Sequence, residues 1–304
     1  MRGTTAALLS CALFGFGFIF RKILLNSLPP ILIVALGSLL SALVLVFFMR
    51  VFHKMRECKC LTKRDILAII FIGLVSGFMA DLLFMMGLNE TFVSNAVLLS
   101  RTNPLFMALF AVVFFREKIS LHQIVGTGIM ILGIYVIATQ GFTLGLASRW
   151  ADLLLISAGF LWALGNTVMK KYLSHTPPEV IVLGKTRIAG VALLFFSFSH
   201  VGEVTFTMNI VLNLLGLALI SGVVGTLLWY KALELTSESN VGLTAFSIPL
   251  FSIIYANMFL GEMLAPYQIV GGALILVGLL ILEIHLSQLK TIGEHLKIRK
   301  LLHT

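Results

Sequence analysis

Two charged side chains, Asp81 and Arg101, lie inside long apolar runs of this 304-residue chain. Each lies about seven or eight residues from one end of its run, which at about 1.5 Å per helical residue places it roughly 10–12 Å below a membrane boundary. A charge at that depth needs an opposite charge or water. We therefore expect Asp81 and Arg101 to pair and to line the outer half of a cavity. The alternative is a structural ion pair that contacts no substrate.

Four other side chains are candidates for contact with a solute. Trp162 and Asn166 are one helical turn apart and share a face. Asn103 follows Arg101 by two residues, and Ser247 lies in a later run. An aromatic wall with amide and hydroxyl groups suits amino acids or aromatic metabolites.

Two prolines, Pro104 and Pro249, interrupt apolar runs. A proline inside a helix leaves a carbonyl without its amide partner and bends the helix. The sequence allows two interpretations, a fixed kink that shapes the bundle and a moving hinge.

Lys185 and Arg187 form a second group of charges in an apolar run. Two cations would suit an anionic substrate such as an organic phosphate. The plainer interpretation is that both side chains extend toward the lipid headgroups.

Motifs of soluble enzymes are absent from the sequence. It contains no Walker A loop, no HExxH, no GxSxG and no paired metal-ligand spacing. The histidines occur mostly outside the apolar runs or at their ends. We therefore expect no catalytic residue, no bound metal, no cofactor and no enzymatic activity.

The composition requires lipid around much of the chain. The sequence is 59% hydrophobic and 12% charged, with a mean hydropathy of +1.05. A spanning helix needs about 20 mostly apolar residues, and continuous runs of this length exclude a β-barrel. We predict ten spans, at about 4–25, 30–52, 65–88, 93–115, 120–139, 150–172, 178–200, 209–231, 239–259 and 265–286.

The basic residues predict the orientation. Of the 22 Lys and Arg residues, 16 fall on the side of the N-terminus, three on the opposite side and three within spans. Lys and Arg concentrate on the cytoplasmic side of membrane proteins. We therefore expect both termini in the cytoplasm, and the net charge of +9 indicates membrane topology rather than nucleic-acid binding.

The two halves of the chain repeat one another. Residues 86–137 align without a gap to 231–282, at an offset of 145, and an offset of 148 aligns the earlier spans. The matches include Pro104 with Pro249, Glu117 with Glu262 and a shared Gln-Ile-Val-Gly. Because each half has five spans, an odd number, the second half enters the membrane from the opposite side. Inverted repeats of this kind are typical of transporters, with the substrate site near the midplane.

The repeated Pro-x(12)-Glu followed by Q-x-x-G resembles the EamA-type unit of the drug/metabolite transporter superfamily. The resemblance extends over essentially the whole chain, although Phe115-Arg116-Glu117 departs from the usual Leu-Gly-Glu that Leu260-Gly261-Glu262 retains. It implies ten helices, cytoplasmic termini, a central cavity and transport of amino acids, metabolites or drugs. It does not imply one substrate.

The predicted protein is an all-α membrane protein, with ten helices in two inverted five-helix repeats around a central cavity. Residues 1–140 and 150–286 are the predicted repeats, joined by a linker at 141–149 and followed by a basic amphipathic tail at 287–304. We expect a multi-pass protein of the plasma (inner) membrane. Its expected partners are a small-molecule substrate and the bilayer, with no nucleic acid and with a homodimer left open.

The expected function is secondary transport, in particular export, of an amino acid or related solute by alternating access. The alternative is an exchanger of anionic phosphorylated or nucleotide-linked metabolites.

Overall fold

The computed structural model describes residues 3–51, 61–115, 121–140, 149–201, 205–236, 241 and 244–281. Every regular element within these ranges is helical. Most of the predicted linker, the predicted tail and Glu117 lie outside the described residues. The first seven helices are α1 Gly3–Leu25, α2 Pro30–Val51, α3 Lys63–Glu90, α4 Val93–Ser100, α5 Asn103–Phe115, α6 Leu121–Ala138 and α7 Arg149–Tyr172.

The remaining helices are α8 Pro178–Val201, α9 over Met208–Gly216, Leu217–Gly225 and Thr226–Leu235, α10 Ser247–Leu260, and α11 Pro266–Ile281. Among the described residues, seven helical stretches are long and apolar enough to cross a membrane, with α4 and α5 together forming one of them. Shorter apolar helices lie at three further predicted spans, at Ile124–Ala138, Ser247–Leu260 and Pro266–Ile281. The prediction of an all-helical membrane protein is confirmed.

Helices α3 and α9 both contain a π-helical segment, over Gly73–Ala80 and Leu217–Gly225. The sequence predicts a single membrane span at each of these places, with no signal for a change of helix type. A π-helical turn widens the helix and is frequent at functional sites. In α3 the segment ends directly before Asp81, so that the wider turn re-aims this carboxylate relative to an ideal helix.

The predicted fourth span is divided into two helices. Helix α4 ends at Ser100, Arg101 and Thr102 form a turn, and α5 begins at Asn103. Pro104 is therefore the second residue of a helix, where its missing N–H group is not needed. Pro249 likewise lies in the first turn of α10, after a turn at Ala245 and Phe246. The prolines thus follow the breaks instead of bending continuous helices.

Glycines bring the helices into close contact. A Cβ added to Gly17 of α1 would lie 2.7 Å from the Cβ of Ser221 in α9, and a Cβ added to Gly165 of α7 would lie 2.7 Å from that of Ser76 in α3. Helices α6 and α11 are also in close contact at a glycine, since a Cβ added to Gly133 would lie 2.6 Å from the Gly271 carbonyl oxygen. Small residues let helix backbones approach closely in a membrane, where dispersion between well-packed surfaces drives association.

One end of the bundle is held by polar contacts, and we call it the Lys22 end. The Lys22 ammonium donates hydrogen bonds to the carbonyl oxygens of Leu88, at 2.8 Å, and Thr91, at 2.7 Å, where α3 ends. The Glu262 carboxylate accepts the Val93 and Ser94 N–H groups at 3.0 and 3.4 Å. A carboxylate at the positive end of a helix is stabilising, so Glu262 caps α4 from the loop before α11.

Candidate functional site

A cavity of about 520 Å³ lies inside the bundle. Its walls come from α1, α2, α3, α7, α8 and α9, with Arg101 from the turn between α4 and α5 and Ile248 from α10. The lining combines aromatic side chains with hydroxyl groups and charges. The aromatic residues are Phe14, Phe18, Phe84, Trp162 and Trp229, and the hydroxyl-bearing ones are Ser38, Ser41, Thr186, Ser221 and Thr226.

Asp81 contacts two other elements across this cavity. The indole N–H of Trp162 donates a hydrogen bond of 2.7 Å to Asp81 Oδ1. The Lys185 ammonium lies 3.9 Å from Asp81 Oδ2. Gly77, one turn before Asp81, lets the aliphatic part of Lys185 approach α3, since a Cβ there would lie 3.2 Å from Lys185 Cγ. The π-helical segment and a glycine thereby position one carboxylate between two partners.

The predicted pairing of Asp81 with Arg101 is wrong. Within the described residues Asp81 forms its ion pair with Lys185, and the buried Nε of Arg101 has no hydrogen-bond partner. The physical reason is the break after Ser100: the predicted pairing requires a continuous helix through Arg101, whereas this residue lies in a turn. Both side chains do line the same cavity.

Arg21 is a lining residue that the sequence analysis missed, because it counted this cation among the charges outside the membrane. Helix α1 extends to Leu25, which keeps Arg21 within the bundle. Its guanidinium carbon lies 5.6 Å from the ring centroid of Phe18 and 5.9 Å from that of Phe84. These distances fit cation–π contacts. The spacing of Phe18 and Arg21, three residues apart on one helix, is the signal that could have found it.

Trp162 lines the cavity and also contacts Phe84, with ring centroids 5.3 Å apart. The other predicted contacts lie elsewhere, since Asn103, Asn166 and Ser247 are not among the described residues of the lining. Asn166 donates instead to the Met107 sulfur at 3.8 Å, and the Ser247 hydroxyl donates to the Thr244 carbonyl at 2.7 Å.

The two cations of α8 have different environments. Lys185 lines the cavity, and Arg187, two residues later, is exposed on the outer surface of the bundle. The interpretation of extension toward the headgroups therefore remains open for Arg187 alone. No group of three His, Cys, Asp or Glu side chains that could hold a metal ion occurs in the part of the chain that the structure describes.

The lining has the character of a solute site. It places charges and hydroxyls at a few positions of a largely apolar wall, as in sites for small molecules. The model of the EamA-like transporter family matches residues 1–139 and again 149–284. The chain belongs to the EamA-like transporter family.

Relatives of known names agree with this membership. An uncharacterized transporter of Methanothermobacter thermautotrophicus is 28% identical over 88% of this chain and 82% of that protein. Probable amino-acid metabolite efflux pumps of Salmonella typhimurium and Escherichia coli are 24% and 25% identical, each over 90% of this chain and 92% of the relative. Family and relatives identify the chain as a transporter and not an enzyme.

A solved crystal structure shares the fold. It superposes with a TM-score of 0.68 at 14% identity, over 94% of this chain and 98% of that one.

Proposed function

We propose that this protein exports an amino acid or a related solute by alternating access. The observation that carries the proposal is the cavity of about 520 Å³, in which charges from α1, α3, α8 and the α4–α5 turn face an aromatic wall. Two relatives bear the name of amino-acid metabolite efflux pumps, which supports both the solute class and the direction.

The lining residues suggest roles in binding. Arg101 would receive a carboxylate, because its Nε is buried without a hydrogen-bond partner among the described residues. Trp162 and Phe84 would contact the apolar part of the solute. Asp81 would lie beside its polar groups.

We further propose ten spans arranged as two inverted repeats. Contacts between the halves support this arrangement. Gly17 contacts Ser221, and Gly165 contacts Ser76. The two glycines correspond at the offset of 148, and the two serines correspond at the offset of 145. The lining supports it as well: Phe14 corresponds to Trp162, and Ser38 to Thr186, at the offset of 148. A cavity lined by corresponding positions of both halves lies across their pseudo-two-fold axis, where exchange of two packings would alternate its access.

Closure at the Lys22 end supports alternating access. Lys22 connects the last turn of α1 to the end of α3, so that opening this end requires the loss of its two hydrogen bonds. We propose that transport breaks and reforms these two hydrogen bonds. We also propose that the protein lies in the plasma membrane with both termini in the cytoplasm. Reporter fusions at each terminus, compared with fusions after residue 145, would test the orientation.

A second function, exchange of phosphorylated or nucleotide-linked metabolites, is favoured by the charge of the cavity. Arg21, Arg101 and Lys185 line it together with the single carboxylate Asp81 among the described residues. This excess of cations would suit a phosphate better than a zwitterion.

Counterflow in proteoliposomes tests transport and separates the two functions. Vesicles are loaded with unlabelled L-amino acids, glucose 6-phosphate or UDP-glucose, and uptake of the same labelled compound is followed. Export of amino acids predicts counterflow in the first set, and the exchanger predicts it in the others. Absence of counterflow in all three sets, with protein correctly inserted, would contradict a transport function for these solutes.

A further inference from the structure

The charges of the cavity do not balance. Three cations, Arg21, Arg101 and Lys185, line it with one carboxylate, Asp81, in the part of the chain that the structure describes. Uncompensated charge inside a membrane protein is costly, and a bound counter-ion offsets that cost. The cavity therefore has a residual positive charge that a solute can neutralise.

The ion pair between Lys185 and Asp81 is loose. Lys185 Nζ and Asp81 Oδ2 are 3.9 Å apart, beyond the 2.7–3.2 Å or so of a direct hydrogen bond. Both side chains retain partial exposure, 28% for Lys185 and 26% for Asp81. The Asp81 carboxylate is held from the other side by Trp162 at 2.7 Å. Lys185 is thus attracted by Asp81 without being fully satisfied by it.

The other two cations are only partly compensated: Asp81 attracts Arg21 electrostatically, and neither cation forms an ion pair with a carboxylate among the described residues. The Nε of Arg101 is buried without a hydrogen-bond partner among the described residues, and Arg21 lies over the rings of Phe18 and Phe84. Guanidinium groups with free donors bind carboxylate and phosphate well, since both anions accept paired hydrogen bonds.

We propose that the transported solute is an organic anion whose carboxylate or phosphate takes Lys185 from Asp81 and binds to Arg101 and Arg21. This inference rests on the proposed transport function and decides between its two solute classes, in favour of an anionic metabolite over a zwitterionic amino acid. Asp81 is then an internal competitor: it neutralises Lys185 while the cavity is empty and yields it to the solute. The aromatic wall of Phe14, Trp162 and Trp229 receives an apolar or aromatic body.

Four probes of one shape and different charge test the charge preference. Phenethylamine, L-phenylalanine, phenylpyruvate and phenyl phosphate share a phenyl group, and their net charges run from positive through zero to negative. Binding to the purified full-length Trp150→Phe variant, in which only Trp162 and Trp229 of the cavity fluoresce, is followed by tryptophan fluorescence and by the apparent melting temperature, which a ligand of the native state raises. We expect both anions to bind at least about tenfold more tightly than phenylalanine, because one additional charge contact contributes a factor of this size. We expect the amine not to bind.

The arms of this series separate the two sources of negative charge. Tighter binding of phenyl phosphate than of phenylpyruvate would assign a phosphate, and the reverse order would assign a carboxylate. Preferential binding of phenylalanine or phenethylamine, or no binding by any probe, would overturn the proposal.

Three variants test the exchange of partners. Asp81→Asn keeps an oxygen for the Trp162 N–H and removes the competing charge, so that it should tighten binding of the anionic probes by roughly tenfold. Lys185→Gln should weaken it by a similar factor. Arg187→Gln removes an exposed cation from the same helix and should leave binding unchanged. Loss of anion binding in Asp81→Asn, at an unchanged melting temperature, would contradict the role of Asp81 as a competitor.

Binding and transport can fail separately in these experiments. Anion binding without counterflow of any solute would retain the anion site and reject the transporter function proposed above. Counterflow of neutral amino acids without anion binding would retain transport and reject the anionic substrate class.

Discussion

Helices α1 and α7 make similar contacts in different parts of the molecule. In each helix a glycine packs against a serine of a π-helical segment: Gly17 of α1 against Ser221, and Gly165 of α7 against Ser76. A second pair of contacts also occurs in both halves. Gly87 packs against Leu155, and the corresponding residues Ala232 and Ala7 lie together in one buried cluster. The contacts that hold the cavity walls together therefore occur in both halves of the chain.

The charged residues of the cavity have no charged counterpart in the other half of the chain. At the same offsets Asp81 corresponds to Thr226, Arg101 to Phe246, Lys185 to Gly37 and Arg21 to Met169. Close helix packing constrains both halves alike, because a side chain larger than glycine does not fit at these contacts. A solute that binds in one orientation imposes no such symmetry on the groups that contact it. The difference separates residues that maintain the scaffold from residues that select the solute.

The largest effects are expected from the duplicated contacts. Gly17→Ala and Gly165→Ala each place a Cβ 2.7 Å from a serine Cβ, so that the helices must move apart. We expect each to destabilise the protein by about 1–3 kcal/mol, as overpacking does. Apparent melting temperatures in detergent measure the effect, and equal losses would show that the two contacts contribute equally to stability.

Gly128→Ala is the matched control, because a Cβ there meets no atom within 4 Å. This variant should be neutral or slightly stabilised, since alanine favours a helix by roughly 1 kcal/mol over glycine. A melting temperature of Gly17→Ala or Gly165→Ala equal to that of Gly128→Ala would show that the close contacts do not limit the packing.

The next largest effect concerns the junction at the Lys22 end. Gln268 is buried, and its Nε2 donates to Ser94 Oγ at 3.2 Å and Asn95 Oδ1 at 2.7 Å, while its Oε1 accepts from the Ala265 N–H at 2.8 Å. Gln268→Ala leaves these groups without a partner and should cost about 2 kcal/mol of stability. Asn213→Ala, whose amide bonds only within its own helix, should cost below about 0.5 kcal/mol. Equal losses would show that the hydrogen bonds of Gln268 to Ser94 and Asn95 do not hold α11 against α4.

A smaller effect is expected when one unmatched charge is removed. Arg21→Met introduces the residue found at the corresponding position 169 and preserves a long side chain in the bundle. The affinity for phenyl phosphate should fall by about tenfold, or about 1.4 kcal/mol. Arg50→Met removes an exposed arginine at the opposite end and should change nothing. Unchanged affinity in Arg21→Met would limit the anion site to Lys185 and Arg101.

The smallest effect distinguishes two cavity tryptophans. Trp162→Phe and Trp229→Phe lose similar aromatic volume, but Trp162 alone of the two has a described hydrogen bond, to Asp81. The stability of Trp162→Phe should be lower by about 1 kcal/mol, the contribution of a typical hydrogen bond. Identical melting temperatures would mean that the Trp162–Asp81 bond does not hold the carboxylate in place.

Much of this protein is determined by its sequence. Long apolar runs predict membrane helices, because the backbone can satisfy its hydrogen bonds in lipid only within such elements. The helical membrane class, the EamA-like family and the transporter assignment are confirmed. The sequence points to Asp81 and Arg101 because a charged group at membrane depth needs a partner or a cavity, and to Trp162 because it shares a helix face with Asn166.

Tertiary structure decided which of these groups meet. The turn at Arg101 and Thr102 interrupts the predicted span, and the π-helical segment before Asp81 alters the direction of its side chain. Gly77 admits Lys185 to the carboxylate, and the packing of α1 beside α3 places Arg21 over Phe84 at the cavity. Periodicity places a residue on a helix face, but partners are chosen by how closely helices approach and by local breaks in them. Those depend on contacts between residues far apart in the chain.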